Sequence, residues 1–472
     1  ALELLAASLH GMLTSSANRW FSLRYKETEL NTIDEAKEWL EDATSRMYDA
    51  ISKSNFQQEI FECYHDLIAF GTACLMIEED QDDVLLFSAR HIKEIYIQEN
   101  KKGFVDTLYR RFKMPVGAAL DKFGIENVSK DIINKARKTP FDDHEFVHVV
   151  RPRLDFDPDK KDKKNMPFQS IYMEYETGHI ISVGGFKENP YVIPRYLKAS
   201  TETYGRSPGM NALPDVKVLN KMVENALKAA AKQIDPPLLI PDDGMIAPVR
   251  MSPGSINYYR AGSRDRIETL QIGQATSTTL NNENQRRDAI VKMFHVDQLV
   301  IAENRNMTAT EVLQRQEEKM RILGPVLGRL QSELLSPLII RIFNIMLRRG
   351  LFQQAPDILK DQELNIEYVS PMALAQRSQE LQSIMRGLEL FGSMAQTMPV
   401  MDYIDENGFI KQIINILGLP AAMIKSDAEV QQIRQERAAE QQQQMEMQQQ
   451  LAESQMAKNA APLAKVVQDG SQ

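Results

Sequence analysis

The sequence predicts an α+β chain, mostly helical, with its strands gathered in one region. Three observations carry this. Residues 215–234, 277–294 and 308–349 read as long helices, the first dominated by Ala, Leu, Lys, Met and Glu. Residues 84–200 change period, to short apolar runs with Gly, Pro, Asn or Asp between many of them. Between the first two long helices lies a small strand-and-turn stretch, Leu238 to Ala275. Two helices bracketing such an insertion is an unusual plan for an enzyme and suits a small docking module held away from the body on a stalk.

Composition sets the outer bounds. At 472 residues the chain is long enough for about three average domains and a large core. Its 26% charged and 43% hydrophobic residues are ordinary for a soluble protein. Cys63 and Cys74 are its only cysteines, so a disulfide framework is excluded and reduced thiols are expected. The net charge is −9, whereas a conventional nucleic-acid-binding domain is basic. Tight DNA binding comes from neutralising many phosphates with Lys and Arg; an acidic balance therefore suits a conduit and is awkward for a clamp. An ordinary soluble surface explains −9 equally well. The opening ALELLAASLHGML lacks the basic flank and long apolar core of a signal peptide and reads as an amphipathic helix. The most lipid-like run, Leu334 to Leu347, contains Arg341 and is too short to span a bilayer.

Residues 1–80 read as helices. Ile33, Ala36, Trp39, Leu40, Ala43, Met47 and Ile51 form a core-facing stripe. Phe56 to Phe70 is a second striped helix, ended by Gly71, after which ACLMIEE starts a strand. His65 in that helix reads as a structural histidine. The β-rich layer follows, interrupted by helices at Val116–Phe123 and Lys130–Lys138, with DFDPDKKDKK (155–164) as a charged loop. The first long helix has Pro214 at its start and ends at Asp235-Pro236-Pro237. On it Lys217, Lys221, Lys228 and Lys232 fall within about 60° of one face. Leu219, Met222, Val223, Ala226, Ala230 and Ile234 occupy the opposite side as a packing stripe. Thr308 and Glu311 form a capping box opening the longest helix, which Gly324-Pro325 and Pro337 should kink and Gly350 should end. LNIEYV is a short strand, and Ser370–Met398 and Phe409–Leu417 are helices. From Asp427 the text is Gln-, Glu-, Met- and Ala-rich, a helix former without a clean heptad.

Several segments together resemble the portal, or head-to-tail connector, proteins of short-tailed bacteriophages. They are SNFQQEIFECYHDLIAFGTACLMIEE (54–79), YGRSP with its following helix and the Asp-Pro-Pro end, NRNMTATEVLQRQEEK (304–319) and YVSPMALAQRSQELQ (368–382). The resemblance implies a homo-oligomeric ring, of twelve copies in that family, with a central channel. It implies a wing at 1–207, a first stem helix at 208–234, a clip at 235–275 and a second stem helix at 276–294. A tunnel loop at 295–307, a long kinked wing helix at 308–350, a crown at 351–426 and a C-terminal helical barrel or tail at 427–472 complete it. Channel-facing candidates are the four lysines with Gln298, Asn304 and Arg305. Docking candidates in the clip are Arg250, Tyr258, Tyr259, Arg260, Arg264 and Arg266. The implied partners are double-stranded DNA, the large terminase subunit, capsid and scaffolding proteins, and tail adaptor or nozzle proteins, with no membrane and no cofactor. No G-x-x-x-x-G-K-[ST] loop occurs, so the packaging motor is expected to be another protein.

Two rival readings arise from the same text. His144-Glu145-Phe146-Val147-His148 matches the zinc-protease signature H-E-x-x-H, which requires a helix. Its β-branched surroundings predict a strand, on which the histidines share a face about 13 Å apart and cannot share one zinc. The other rival is a coiled-coil scaffold built on the C-terminal helix, against which the sparse heptad counts.

Overall fold

The helical text at the N-terminus forms α1 (Leu2–Leu13), α2 (Asp34–Lys53) and α3 (Phe56–Phe70). The computed structural model describes residues 1–26, 33–157, 162–234, 238–239, 256, 268–269, 277–296, 321–356, 364–368, 383–387, 389–390, 408–410, 413, 429–437, 439–445 and 447. On α2 the expected stripe is buried at Ala36, Trp39, Leu40, Ala43, Met47 and Ile51. On α3 Phe56, Ile60, Cys63, Tyr64, Leu67 and Ile68 are buried, and Gly71 caps the end at φ 80°, a left-handed geometry that favours glycine. His65 is exposed, so it is a surface residue of α3 and not part of its packing.

The chain divides into two units. The first comprises Ala1–Phe21, Arg46–Leu351 and Tyr368–Met372. In it α1 packs on α3 through Leu5, Leu9 and Leu13, and His10 Nε2 lies 2.8 Å from Gln57 Oε1. The strands are β2 (Leu75–Glu79), β3 (Leu85–Ala89), β4 (Ile95–Glu99), β5 (Val105–Pro115), β6 (Asp143–Pro152), β7 (Phe168–Glu174), β8 (Ile180–Phe186) and β9 (Tyr191–Val192). They build a three-stranded sheet ordered β3-β2-β9 and a five-stranded antiparallel meander, β4 to β8. One face of the meander carries α4 (Val116–Phe123) and α5 (Lys130–Lys138), the two helices expected there. They pack over Phe112, Phe146 and Ile181. Nearby, Ile95, Leu108 and Val150 join Met76, Tyr191 and Ile193 in a second cluster.

Beyond the sheets come α6 (Pro208–Ile234), the short strands β10 (Leu238–Leu239) and β11 (Glu268–Thr269), and α7 (Ser277–Met293). β10 and β11 pair antiparallel. The last helix of this unit is α8 (Arg321–Arg348). Helix α6 starts earlier than the prolines suggested. Ser207 Oγ accepts the Met210 N–H at 2.9 Å, so Ser207 is the N-cap and Pro208 takes the first helical position, leaving Pro214 inside the helix. Helix α8 continues through Gly324-Pro325 and becomes π-helical at Gln331–Leu335, just before Pro337. The Leu334–Leu347 run thus belongs to a helix long and apolar enough to cross a membrane, but one whose Leu334, Leu338, Ile339, Ile342 and Ile345 are fully buried in the protein. Gly350 follows it at φ 67°.

The second unit comprises Ser22–Ser45, Phe352–Glu367 and Ala373–Gln472. Here the expectation of helices throughout 1–80 fails: β1 (Phe21–Tyr25) is a strand, paired with β12 (Leu364–Tyr368). Arg24 and Ser22 both reach Glu367, and Trp39 Nε1 donates to Gln353 O at 3.0 Å. Short helical pieces at 383–387, 429–437 and 439–445 fall within stretches expected to be helical, and one at 408–410 overlaps another. The candidates Gln298, Asn304 and Arg305, and Arg250, Tyr258, Tyr259, Arg260, Arg264 and Arg266, lie outside the described residues.

Candidate functional site

The segment Tyr204-Gly205-Arg206-Ser207-Pro208-Gly209 locks the start of α6 onto the end of α3, and almost every residue in it has a separate task. Tyr204 Oη accepts from Ile97 N–H at 3.2 Å and donates to Ile95 O at 3.3 Å, tying the segment to β4. Gly205 N–H donates to the buried Thr72 Oγ1 at 2.8 Å. Arg206 and Leu197 exchange backbone hydrogen bonds, and Ser207 Oγ donates to Ala69 O at 2.8 Å. The two glycines permit backbone to lie on backbone. A Cβ on Gly205 would stand 2.1 Å from Gly71 O, and one on Gly209 2.8 Å from Ala69 O.

Directly behind this joint sits Arg195, 1% exposed. Its Nε and Nη2 grip Glu333 of α8 at 3.0 and 2.7 Å, and its backbone N–H adds a third bond at 3.1 Å. Nη1 reaches Glu99 and Thr203 O, and Nη2 also donates to Gly103 O at 2.8 Å. Lys198 Nζ meets Glu99 at 2.5 Å. Burial works against a charged Glu99, yet its hydrogen bonds from Lys198 and Arg195 hold its carboxyl below the usual range. Burial likewise disfavours charged Arg195, and Glu333 and then Glu99 more than offset it, raising its pKa. A guanidinium with all its donors engaged is the arrangement in which a buried charge is tolerated. One residue therefore joins β4, the β4–β5 turn, the root of α6 and α8.

Along α6 the four lysines Lys217, Lys221, Lys228 and Lys232 are all exposed. Glu224 lies among them, bridging Lys221 at 3.0 Å and Lys228 at 2.5 Å, so the stripe is not purely cationic. Helix α7 lies against α6, with Arg286 Nη1 2.6 Å from Asp215 Oδ1, and Val218 and Met222 of α6 face Asn282, Gln285 and Arg286 of α7 across a cavity. The expected packing stripe is half-buried at Leu219, Met222, Val223 and Ala226 but exposed at Ala230 and Ile234. Among the described residues α6 thus becomes more exposed towards its C-terminal end.

The H-E-x-x-H residues lie on β6, as the β-branched context predicts. His148 is stacked on Tyr172 with ring centroids 3.9 Å apart, and its nitrogens lie 2.8 Å from Tyr191 Oη and 2.9 Å from Ser170 Oγ. Burial, and then the positive Arg110, Lys122 and Arg90, push its pKa down to about 3. Glu145, on the opposite face of the strand, pairs with Arg111 at 2.5 Å. The three side chains therefore do not converge.

Sequence reasoning missed Arg195, Glu333 and Thr72. Arg195 and Thr72 belong to no periodic stripe and their partners are distant in the chain; Glu333 pairs with Arg329 four residues earlier as well as with the distant Arg195. Glu224 was within reach, since three- and four-residue spacing from Lys221 and Lys228 predicts both pairs.

Residues 1–424 match the family profile of the bacteriophage head to tail connecting proteins. The chain is 31% identical over 448 residues to the portal protein of Salmonella phage epsilon15, covering 93% of this chain and 81% of that one. It is 31% identical over 451 residues to the probable portal protein of Bordetella phage BPP-1, covering 94% and 81%. A more distant relative is the portal protein of Enterobacteria phage T3, 22% identical over 355 residues, covering 72% of this chain and 59% of the other.

Proposed function

The chain belongs to the bacteriophage head-to-tail connecting proteins, and we propose that its copies form a closed ring, the portal of a capsid vertex, through which double-stranded DNA enters during packaging and leaves at ejection. The observation that carries this is the family match over residues 1–424, with relatives named as portals aligned over more than nine-tenths of the chain. The role is structural. Nucleotide hydrolysis belongs to a separate terminase that docks on the ring and is later replaced by tail adaptor proteins; capsid and scaffolding proteins meet its periphery.

In this reading 1–207 is the wing, 208–234 and 276–294 the stem helices, 235–275 the clip, 295–307 the tunnel loop, 308–350 the long wing helix, 351–426 the crown, and 427–472 the C-terminal helix. A 27-residue α6 is about 40 Å long, a fitting span for a stem, and its clamped root supplies the fixed end such a stem needs. Its growing exposure towards the C-terminal end suits packing by an adjacent copy. The exposed lysines, moderated by Glu224, would give a channel wall that steadies DNA without gripping it. Twelve copies are expected from the family. Negative-stain images of the purified chain test the assembly: closed rings with a central hole are expected, and compact monomers alone at micromolar concentration refute it.

A further inference from the structure

The five-stranded meander has two faces, and the core uses one of them. Leu108, Phe112, Phe146 and Val150 point inward, to α4 and α5 or to the β3-β2-β9 sheet. On the other face one cross-strand row reads Tyr96, Tyr109, Val149, Ile171, Val183. The row beside it runs Arg111, Val147, Met173, Ile180. The solvent side of an antiparallel sheet is ordinarily polar, so this face is apolar where water would meet it. It is also open: Tyr96, Ile180 and Val183 are 39–55% exposed. The 163–166 turn reaches the face at Gly185, one corner of it. A broad exposed apolar patch with a polar rim marks an interaction surface.

The opposite end of the same unit is made by α1 and α3, and β2 shows the order of the layers. Its Met76 faces the meander, in the cluster with Leu108 and Val150. Ile77, the next residue, faces the other way. It lies opposite Phe87 of β3, whose ring packs on Phe56 of α3 at 5.1 Å. The stack therefore runs from the paired helices α1 and α3, through β3-β2-β9, to the meander. Phe61 is five residues on from Phe56, about 140° around α3 and so turned away from the sheet. It is exposed, as is Leu4 of α1. The two ends also differ in charge. Helices α1 and α3 hold Glu3, Glu59, Glu62 and Asp66 and no Lys or Arg. The open sheet face holds Arg111, Lys113 and Arg151 against Asp143 and Glu145, and Glu145 is already taken by Arg111 and Lys113.

A closed ring joins its copies head to tail, so each copy needs two different faces that fit one another and lie on opposite sides of it. Resting on the ring reading above, we propose that the open face of the meander seats the next copy of this chain, which lays its α1 and α3 helices upon it. Leu4 and Phe61 of the one copy meet the Tyr96–Val183 row of the other, and the helical carboxylates turn toward Arg111, Lys113 and Arg151. The apolar row supplies the affinity. The charges set orientation: sheet face on sheet face would bring three cations against three, and helix on helix would oppose carboxylates, so the head-to-tail pairing is favoured over either symmetric one.

Two measurements on the full chain test this. In the first, Tyr96→Glu and Val183→Glu together put a carboxylate at each end of the row. Both side chains are exposed, so thermal melting of the separated chains should be unchanged. Sedimentation velocity should show the concentration for half-assembly raised at least about tenfold. Phe141→Glu, 89% exposed in the turn between α5 and β6, should assemble like the parent. In the second, rings formed from equal parts of isotope-labelled and unlabelled chains are treated with a carbodiimide, which joins an amine to a carboxylate in contact with it. Mass spectrometry should find Lys113 linked to Glu3, Glu59, Glu62 or Asp66 of a chain of the other label. If the parent chain assembles at no concentration, the ring reading falls and this inference with it. If the parent assembles and the double variant does so as readily, the rings stand and this interface is refuted. Rings in which Lys113 is linked to no carboxylate of a neighbour's α1 or α3 refute it equally, and that result needs no altered chain to fold.

Discussion

Replacing Gly205 by alanine adds one methyl group to the tightest backbone contact in the joint. The new Cβ would stand 2.1 Å from Gly71 O and 3.0 Å from both Gly71 C and Arg195 Cβ. Ordinary contact begins near 3.4 Å, so two backbones must separate by about 1 Å. Neither side can yield by turning a side chain. Gly71 is itself held at φ 80° with its carbonyl accepting from Tyr196 N–H at 2.9 Å. Overpacking of this kind costs about 1–3 kcal/mol, and stretching the Gly205–Thr72 hydrogen bond adds about 1 kcal/mol. A local cost of about 3 kcal/mol corresponds to an opening equilibrium shifted roughly 150-fold. Hydrogen exchange is the suitable assay, because it reads local opening amide by amide. Amides of 205–213 and of the last turn of α3 should exchange faster by about that factor, while those of α4 and α5 stay as they were. The control is Gly11→Ala: Gly11 is inside α1 with nothing within 4 Å, so alanine there should be neutral or stabilising by up to about 1 kcal/mol. If Gly205→Ala behaves like Gly11→Ala, the joint is not as tight as its distances say and the argument fails.

Other consequences follow from single sites. His148 is held neutral, so its contribution is complete above pH 6.5 and is lost as pH falls from 6.5 towards about 3. At pH 5 the loss is about 2 kcal/mol, and His148→Gln should flatten the fall in melting temperature between pH 7 and 5; an unchanged slope contradicts the assignment. Arg341 is 4% exposed and paired at 2.6 Å with Glu188, which Arg348 also holds at 2.8 Å. Glu188→Ala strands the buried cation and should cost about 3 kcal/mol, whereas Arg341→Met should cost far less; thermal melting that ranks them the other way refutes this. Changing Lys217, Lys221, Lys228 and Lys232 together to Gln should leave ring assembly and packaging intact but alter DNA retention, more at low salt. A structure of the ring with their Nζ atoms on its outer surface would eliminate that role. Replacing 246–270 by a short Gly-Ser linker should abolish terminase docking and tail attachment, and normal packaging by that variant would end the clip assignment.

What the sequence determined by itself was whatever depends on neighbours within a turn or two. Helices α4 and α5 begin and end where their residues say, Gly71 and Gly350 take the left-handed positions that glycine favours, and Pro337 disturbs α8 through a carbonyl four residues away. His144 and His148 were legible as strand residues because β-branched neighbours act locally. The family, too, was legible, since ordered segments carry it without any fold.

Tertiary structure decided what depends on a partner far along the chain. Phe21–Tyr25 is a strand because β12 pairs with it, and no window around residue 23 contains that fact. Pro208, and not Pro214, opens α6 because Ser207 is pinned to Ala69 O. No sequence signal joins Arg195 to Glu333, yet they meet, since a buried guanidinium must find acceptors wherever the fold brings them. Local energies are written in the order of residues; desolvation and pairing energies exist only once the chain has folded and water has left.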